Sequence, residues 1–213
     1  MSLTFYFHPL SSFCHKVLIA LYETGVPFTP RIVDLMGEAA EYRKIAPLGK
    51  IPVLRDEAKK QTIPETSIII EYLAQYHPGA TQLFPTDRDL CRRMRLHDRI
   101  YDLYVHRPMQ DIVADRLRPA DKKDPFGVEQ ARTLLKTALD MIERDMVGDR
   151  WAVGDGFTMA DCAAAPALFY ADWVAPFRET HRKTAAYLER LKERPSYARV
   201  LKEAEPYFHL VPQ

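Results

Sequence analysis

Three short segments in the first third of the chain carry residues suited to binding a reactive sulfur. Ser11-Ser12-Phe13-Cys14 has the spacing of a dithiol redox motif at a helix start, with a hydroxyl at the first cysteine position. A hydroxyl cannot exchange a disulfide, but it can donate a hydrogen bond to a thiolate, and a helix amino terminus stabilises the same anion. The other two segments are Lys50-Ile51-Pro52-Val53-Leu54 and Pro64-Glu65-Thr66-Ser67. Together they predict a site for a small peptide thiol whose sulfur the protein activates.

Composition narrows the class of protein. The 213 residues are 47% hydrophobic and 28% charged, enough for one large or two modest domains with apolar cores. Thirty Lys and Arg residues against twenty-nine Asp and Glu leave a net charge of +1, which argues against nucleic acid or an anionic membrane as a partner. Residues 1–10 have no basic segment of a secretory signal, and no apolar run approaches the roughly 20 residues of a membrane span. We therefore expect a cytoplasmic protein.

The cysteines do not indicate a metal or a disulfide framework. Cys14, Cys91 and Cys162 are far apart in the sequence and odd in number. We expect each to be a buried or incidental thiol, and we expect no metal.

Residue patterning predicts alternating strands and helices in the first part of the chain. The order is strand 3–7, helix 16–23, strand 29–33, helix 39–45, strand 51–55, strand 62–63 and helix 66–76. This βαβαββα order is the layout of the thioredoxin-like fold, in which right-handed crossover makes the first two strands parallel.

The second part of the chain is predicted to be all helical. The spacing of apolar residues indicates a long helix over 89–118 that bends at Pro108, and a helix over 128–146. Thr158 and Asp161 form a capping box ahead of an apolar run over 162–170, and helices over 183–194 and 196–204 follow. The predicted domains are an α/β thioredoxin-like domain over 1–77, a linker over 78–87 and an all-α domain over 88–213.

Over its whole length the sequence resembles the cytosolic glutathione S-transferases. The resemblance rests on the two-part layout, on His8-Pro9 leading to Ser11, on Ile51-Pro52 before a strand, on the Glu65-Thr66 pair at a helix start and on the Thr158 to Asp161 box. Each feature alone is weak, whereas the five in this order are specific.

The resemblance implies a serine-type enzyme, similar to the theta and zeta groups. Phe7 occupies the position of the activating tyrosine in tyrosine-type members, and Phe13 that of the cysteine in bacterial cysteine-type members. Ser11 matches the serine of the serine-type members and is the predicted catalytic hydroxyl. Ser12 is the alternative hydroxyl and is otherwise predicted to bind glutathione.

The resemblance also implies which residues bind the other chemical groups of glutathione. The backbone of Ile51, before a cis Pro52, would pair with the cysteinyl backbone in the manner of an added strand. Thr66 and the amino terminus of its helix suit the γ-glutamyl carboxylate, and Glu65 suits the γ-glutamyl ammonium. Lys50 can reach the glycyl carboxylate.

The resemblance also implies an apolar pocket for a small electrophile and a homodimer. The candidate pocket residues are mostly aromatic: Leu10, Phe13, Tyr101, Tyr104, His106 and Phe208. We expect the dimer to form through the helix over 66–76 and the long helix that begins at Asp89.

Three functions stay open at this point. The first is conjugation of glutathione to electrophiles in detoxification, with peroxide reduction as a side activity. The second is a glutathione-dependent isomerase of the maleylacetoacetate type, or a dehalogenase, because Ser11-Ser12 resembles the zeta group; the continuation Phe13-Cys14-His15-Lys16 departs from the zeta pattern. The third is a noncatalytic module of the same fold that serves protein interactions.

Overall fold

The structure is a computed structural model of the chain, and it describes residues 2–146 and 150–211. The predicted domain spans 1–77 and 88–213 also include residues 1, 147–149 and 212–213, which lie outside the described residues. The chain divides into two compact units. The sheet unit comprises Met1–Leu83 and Ser196–Phe208, and the helical unit comprises Phe84–Pro195 and His209–Gln213. The domain limits given by the sequence stay a prediction.

The sheet unit is built on four strands in the order β2-β1-β3-β4. Their bounds are β1 Leu3–Phe7, β2 Thr29–Ile32, β3 Val53–Asp56 and β4 Gln61–Pro64. The β1 and β2 strands are parallel, as predicted, and the other two pairs are antiparallel. Alternation places Leu3, Phe5 and Phe7 in the core.

Three helices belong to the first part of this unit: α1 Ser12–Thr24, α2 Ala39–Tyr42 and α3 Thr66–Tyr76. The α1 helix packs against α3, and ten of its thirteen residues are buried, which explains its weak amphipathic pattern. It begins four residues earlier than predicted because Ser11 caps it, whereas α2 is three residues shorter than predicted. Gly25 ends α1 in the left-handed conformation.

The helical unit surrounds a buried helix, α7. Its helices are α4 Arg88–Ile100, α5 Arg107–Leu117, α6 Pro125–Asp145, α7 Met159–Val174 and α8 Arg182–Glu193. The predicted capping box is present, since the Asp161 carboxylate accepts hydrogen bonds from the Thr158 amide at 2.8 Å and the Ala152 amide at 2.8 Å. The α9 helix, Pro195–Ala204, begins at the end of this unit and continues into the sheet unit.

The predicted helix over 89–118 contains an irregular segment that residue patterning did not predict. A π-helical segment, Tyr101–His106, joins α4 to α5 while the backbone remains helical. Pro108 is the second residue of α5 and follows this segment closely. Because proline has no N–H, it cannot donate to the preceding helical turn, and the wider π-helical turn lies at that point. The bend at Pro108 stays a prediction.

No helix in the described residues is both long enough and apolar enough to cross a membrane.

Candidate thiol-binding site

Strand register brings the three predicted segments to one end of the sheet. Tyr6 of β1 pairs with Val53 of β3, and Val53 also pairs with Pro64 of β4. The carboxyl end of β1, the start of β3 and the end of β4 therefore lie side by side. Ser11 follows the first of these ends, Ile51-Pro52 precedes the second and Glu65-Thr66 follows the third.

Ser11 is the N-cap of α1, and its hydroxyl is half-buried. Its Oγ accepts a hydrogen bond from the Cys14 amide at 3.4 Å, and its own amide donates to the His8 carbonyl at 3.0 Å. Because Oγ acts as an acceptor in the cap, the hydroxyl proton can be donated to a ligand anion. The amino terminus of α1 adds the positive end of a helix dipole at the same point.

The neighbouring residues Ser12 and Cys14 are buried. Burial raises the pKa of the Cys14 thiol to about 12, against the opposing hydrogen bonds from Ser11 and the His8 backbone. The Cys14 sulfur is therefore a protonated core atom at neutral pH, while Ser11 is the hydroxyl on the more accessible side of this turn.

The two histidines that flank Ser11 are not suited to act as its general base. His15 is fully buried, its Nε2 lies 2.5 Å from the Pro9 carbonyl, and burial lowers its pKa to about 4. The pKa of His8 is also lowered, first by burial, and its Nδ1 accepts a hydrogen bond from the Leu10 amide at 3.2 Å. Both rings organise the loop that leads into α1.

The second segment is fixed through its backbone. The Tyr42 hydroxyl donates to the Lys50 carbonyl at 2.8 Å, while the Lys50 side chain remains exposed. The Ile51–Pro52 peptide bond is cis, the form considered in the sequence analysis. Ile51 packs against a small cluster that contains Tyr42 and Val53.

The third segment holds an unusual backbone conformation. Glu65 has φ of 68°, a left-handed value that a side chain other than glycine rarely adopts and that costs on the order of 1 kcal/mol or more. Its carbonyl accepts the Ile69 amide at 2.8 Å, yet its carboxylate makes no capping hydrogen bond to the described first turn of α3. Thr66, the first residue of α3, is buried. The Glu65 side chain therefore does not cap the helix that begins at Thr66.

A contact that sequence patterning did not predict ties α1 to α3. The Lys16 ammonium donates to the Ser67 hydroxyl at 3.0 Å, and Lys16 is only 1% exposed. This contact links the helix capped by Ser11 to the first turn of the helix that contains Thr66. No local signal marks Lys16 or Tyr42, because each acts through a residue distant in sequence.

The predicted pocket residues lie in both units. Leu10, Phe13 and Phe208 belong to the sheet unit, and each is half-buried. Tyr101, Tyr104 and His106 belong to the π-helical segment of the helical unit. Tyr101 and His106 are almost fully buried, whereas Tyr104 is 46% exposed. The role of all six as an electrophile pocket stays a prediction.

Among the residues that the structure describes, no group of three or more His, Cys, Asp and Glu side chains is positioned to hold a metal ion.

Comparison with known proteins agrees with this geometry. Residues 5–81 match the family model of the glutathione S-transferase N-terminal domain, and residues 125–190 match that of the C-terminal domain. A glutathione S-transferase-like protein, LUC7, of Fusarium sp is 32% identical over 158 residues, which are 73% of this chain and 71% of the relative. A probable maleylacetoacetate isomerase of Caenorhabditis elegans is 32% identical over 169 residues, 76% of this chain and 75% of the relative.

A solved structure shows the same fold. The glutathione S-transferase of Methylobacterium radiotolerans, in complex with glutathione sulfonate, superposes with a TM-score of 0.82 at 28% identity and covers 93% of each chain. The fold is thus a thioredoxin-like domain followed by a helical domain. This chain belongs to the cytosolic glutathione S-transferase family.

Proposed function

We propose that this protein is a glutathione transferase that uses Ser11 to stabilise the thiolate of glutathione for attack on a small, largely apolar electrophile. The observation that carries the proposal is the sheet register, which places Ser11, Ile51-Pro52 and Glu65-Thr66 at one end of the sheet. Detoxification is the corresponding physiological role, and we place the protein in the cytoplasm.

The chemistry begins with the thiol of glutathione. A free alkyl thiol has a pKa of about 8.5, so only a small fraction is ionised at neutral pH. A decrease of about two units corresponds to roughly 3 kcal/mol of preferential stabilisation of the anion. Together, a hydrogen bond from the Ser11 hydroxyl and the positive end of the α1 helix dipole supply a stabilisation of the anion of that order. The thiol proton goes to solvent, the sulfur electron pair forms the new C–S bond, and the leaving group departs with its own electron pair.

Each remaining group of glutathione has a partner in this proposal. The cysteinyl backbone pairs with the backbone of Ile51, and the glycyl carboxylate binds Lys50, whose carbonyl is held by Tyr42. The γ-glutamyl ammonium binds the Glu65 carboxylate, which makes no capping hydrogen bond to the first turn of α3. The γ-glutamyl carboxylate binds at Thr66, at the amino terminus of α3, where the positive end of the helix dipole favours an anion.

The decisive test compares Ser11→Ala with Ser12→Ala. Thiolate absorbance of bound glutathione and kcat/KM for chlorodinitrobenzene are both measured against pH. We expect Ser11→Ala to raise the apparent thiol pKa by about one to two units and to lower kcat/KM at neutral pH by roughly 10-fold to 100-fold. Ser12→Ala should leave the thiol pKa near the wild-type value, and the opposite pattern would assign the activating role to Ser12.

A glutathione-dependent isomerase is the second candidate, favoured by the 32% identity to the Caenorhabditis elegans relative. It uses the same thiolate, which adds to a cis double bond, permits rotation about the resulting single bond and leaves again, so glutathione is not consumed. Glutathione-dependent conversion of maleylacetoacetate without loss of thiol would identify this activity. Glutathione binding without turnover of aryl halides, maleyl acids or peroxides would instead favour the noncatalytic interaction module.

We also propose that the chain forms a homodimer through α3 and α4. Ile68 of α3 is 53% exposed and Leu96 of α4 is 54% exposed, which leaves apolar surface on both helices. The double variant Ile68→Glu/Leu96→Glu should sediment as a monomer, whereas Leu134→Glu on α6, also an exposed leucine, should not change the sedimentation coefficient. A double variant that still sediments like the wild type would place the interface elsewhere.

A further inference from the structure

Lys16 places a positive charge in the core of the sheet unit. It is the fifth residue of α1, is only 1% exposed and is among the largest fully buried side chains of the described residues. Lysine is rarely buried in this way, because an ammonium that leaves water loses its hydration. An aliphatic side chain would fill the same space at lower cost. The burial of Lys16 therefore points to a role for its charge and not only for its bulk.

The charged end of Lys16 reaches the first turn of α3. Its Nζ donates a hydrogen bond to Ser67 Oγ at 3.0 Å, and Ser67 is the second residue of that helix. Ser67 is half-buried, so its hydroxyl connects the buried ammonium to a partly accessible position. The preceding residue is Thr66, to which the γ-glutamyl carboxylate is assigned above. The contact thus brings a positive charge from α1 to the amino end of α3, where the helix dipole is also positive.

The contact also determines what the Ser67 hydroxyl can do. An ammonium has only donors, so Ser67 Oγ accepts from Lys16 and the Ser67 proton is directed to another group. A hydroxyl within a helix can donate to the carbonyl one turn earlier, as those of Thr24 and Thr137 do. For Ser67 the corresponding position, residue 63, belongs to β4 and not to α3. The Ser67 proton can therefore be donated to a ligand at the start of α3.

The charges around Thr66 match those of the γ-glutamyl group. The last carbon atom of this group bears both an ammonium and a carboxylate, and the site offers the exposed Glu65 and the buried Lys16. The first turn of α3, all of which is described, contains no acidic residue, and Glu71 follows a full turn later. A ligand carboxylate at Thr66 would therefore meet the helix dipole and the Lys16 charge without a competing carboxylate from that turn.

We infer that Lys16 is a positioning residue for the γ-glutamyl carboxylate and that it acts through Ser67. The Lys16 ammonium holds Ser67 Oγ as an acceptor, the Ser67 hydroxyl donates to the carboxylate, and the buried charge strengthens this second hydrogen bond. The inference rests on the proposed glutathione transferase function and adds two residues to it. Lys16 and Ser67 thereby favour ligands that carry this carboxylate over ligands that lack it.

Three ligands separate the two charges of the γ-glutamyl group. Glutathione carries both charges. The analogue γ-aminobutyryl-cysteinylglycine lacks only the carboxylate, and glutaryl-cysteinylglycine lacks only the ammonium. The dissociation constant of each reduced ligand is measured by isothermal titration calorimetry with the full chain. A residue that only supports the fold would change the affinity for all three ligands alike.

The variants remove one group each. Lys16→Met keeps an unbranched side chain and removes the charge, and Ser67→Ala removes the hydroxyl. Lys59→Met is the matched control for net charge, because Lys59 is exposed in the turn between β3 and β4. Strand register places that turn at the opposite end of these strands from Val53 and Pro64. Thermal unfolding of each variant shows whether it is folded.

We expect Lys16→Met to weaken glutathione and the glutaryl analogue by about tenfold, and Ser67→Ala to weaken them by about fivefold. Both variants should bind the aminobutyryl analogue within about twofold of the wild type. The double variant should be close to Lys16→Met, since both changes remove one hydrogen-bonded unit. Lys59→Met should match the wild type for all three ligands.

Equal weakening of glutathione and the aminobutyryl analogue by Lys16→Met and Ser67→Ala would overturn the inference, because these residues would then only support the fold. Unchanged binding of all ligands by both variants would overturn it as well. If Lys16→Met does not fold, the same comparison with Ser67→Ala decides. A wild-type protein that binds no glutathione would overturn the proposed function together with this inference, whereas the first two outcomes leave the proposed function intact.

Discussion

Ser11 and Cys14 lie one helical turn apart and differ in the chemistry that each permits. Ser11 caps α1 from a half-buried position, so its hydroxyl can meet a ligand. Cys14 is fully buried, and burial raises its thiol pKa to about 12. Ser11 can therefore act on the thiol of a bound ligand, whereas the buried Cys14 thiol of the protein itself cannot act as a nucleophile.

Cys14 should consequently resist alkylation in the folded protein. We expect iodoacetamide at neutral pH to modify Cys91, which is partly exposed, while Cys14 stays unmodified until the chain unfolds. Peptide mass spectrometry of the labelled protein measures this difference. Cys14→Ala should retain glutathione-dependent turnover, and a loss of turnover with an intact fold would contradict the serine-type assignment.

Residues whose contacts are with their neighbours in the sequence could be predicted. Residues whose contacts are with other secondary-structure elements could not. The Thr158–Asp161 box is a local pattern, and the structure confirms it. Lys16 and Tyr42 contribute through Ser67 and Lys50, and these contacts exist only after the sheet and helices have assembled. The left-handed Glu65 has no local signature either, because the fold imposes its conformation.

At the scale of elements, the sequence of strands and helices along the chain could be predicted, while the order of strands in the sheet, the helix ends and the irregular segments could not. Apolar periodicity indicates one helix over 89–118, since a π-helical segment keeps a nearly helical pattern of side chains. In α1 the buried polar residues Ser12, His15 and Lys16 interrupt the apolar pattern, which moved the predicted start to residue 16. The Lys16 ammonium has a partner in α3, the Ser67 hydroxyl, and His15 Nε2 lies 2.5 Å from the Pro9 carbonyl of the preceding loop.

One buried polar contact between elements gives a pH-dependent prediction. Asp56 of β3 accepts the Tyr72 hydroxyl of α3 at 2.7 Å, and this hydrogen bond is the main cause of the lowered Asp56 pKa. A carboxyl group with a lower pKa in the folded state stabilises that state above its unfolded pKa of about 3.9, and this contribution is lost as the pH falls through the folded pKa.

Tyr72→Phe should therefore reduce the free energy of unfolding most at neutral pH, by about 1.5 kcal/mol, and progressively less below pH of about 4. Urea unfolding of wild type and variant between acidic and neutral pH measures the difference. Tyr76→Phe, one turn later on α3 and exposed, is the control. A difference that does not change with pH would show that the Tyr72 hydroxyl stabilises the fold independently of the Asp56 charge.

At the scale of the whole molecule, the sheet unit is completed by a segment from the far end of the chain. Tyr197, Val200 and Ala204 are buried, and Ser196 donates to Glu23 of α1 at 2.6 Å. The Tyr197 ring lies 6.3 Å from that of His15. Neither sequence spacing nor helical periodicity indicated that this last helix joins the unit that contains the first strand.

Replacing Tyr197 by Ala should destabilise the sheet unit by about 3 to 5 kcal/mol, because a fully buried ring is removed. Each unit contains one buried cysteine, Cys14 in the sheet unit and Cys162 in the helical unit. Thiol labelling in increasing urea should expose Cys14 at a lower urea concentration in Tyr197→Ala than in wild type. Tyr104→Ala, at an exposed tyrosine, should leave Cys14 protection unchanged, and equal protection in both variants would refute the role given to Tyr197.

The return of residues 196–208 to the first unit has a consequence for synthesis on the ribosome. A nascent chain emerges from its amino end, so the strands and α1 are exposed to the cytosol while residues 84–195 are still being translated. The apolar surface that Tyr197 covers stays open during that interval. Translation speed and holdase chaperones should therefore influence the yield of the first unit more than that of the second.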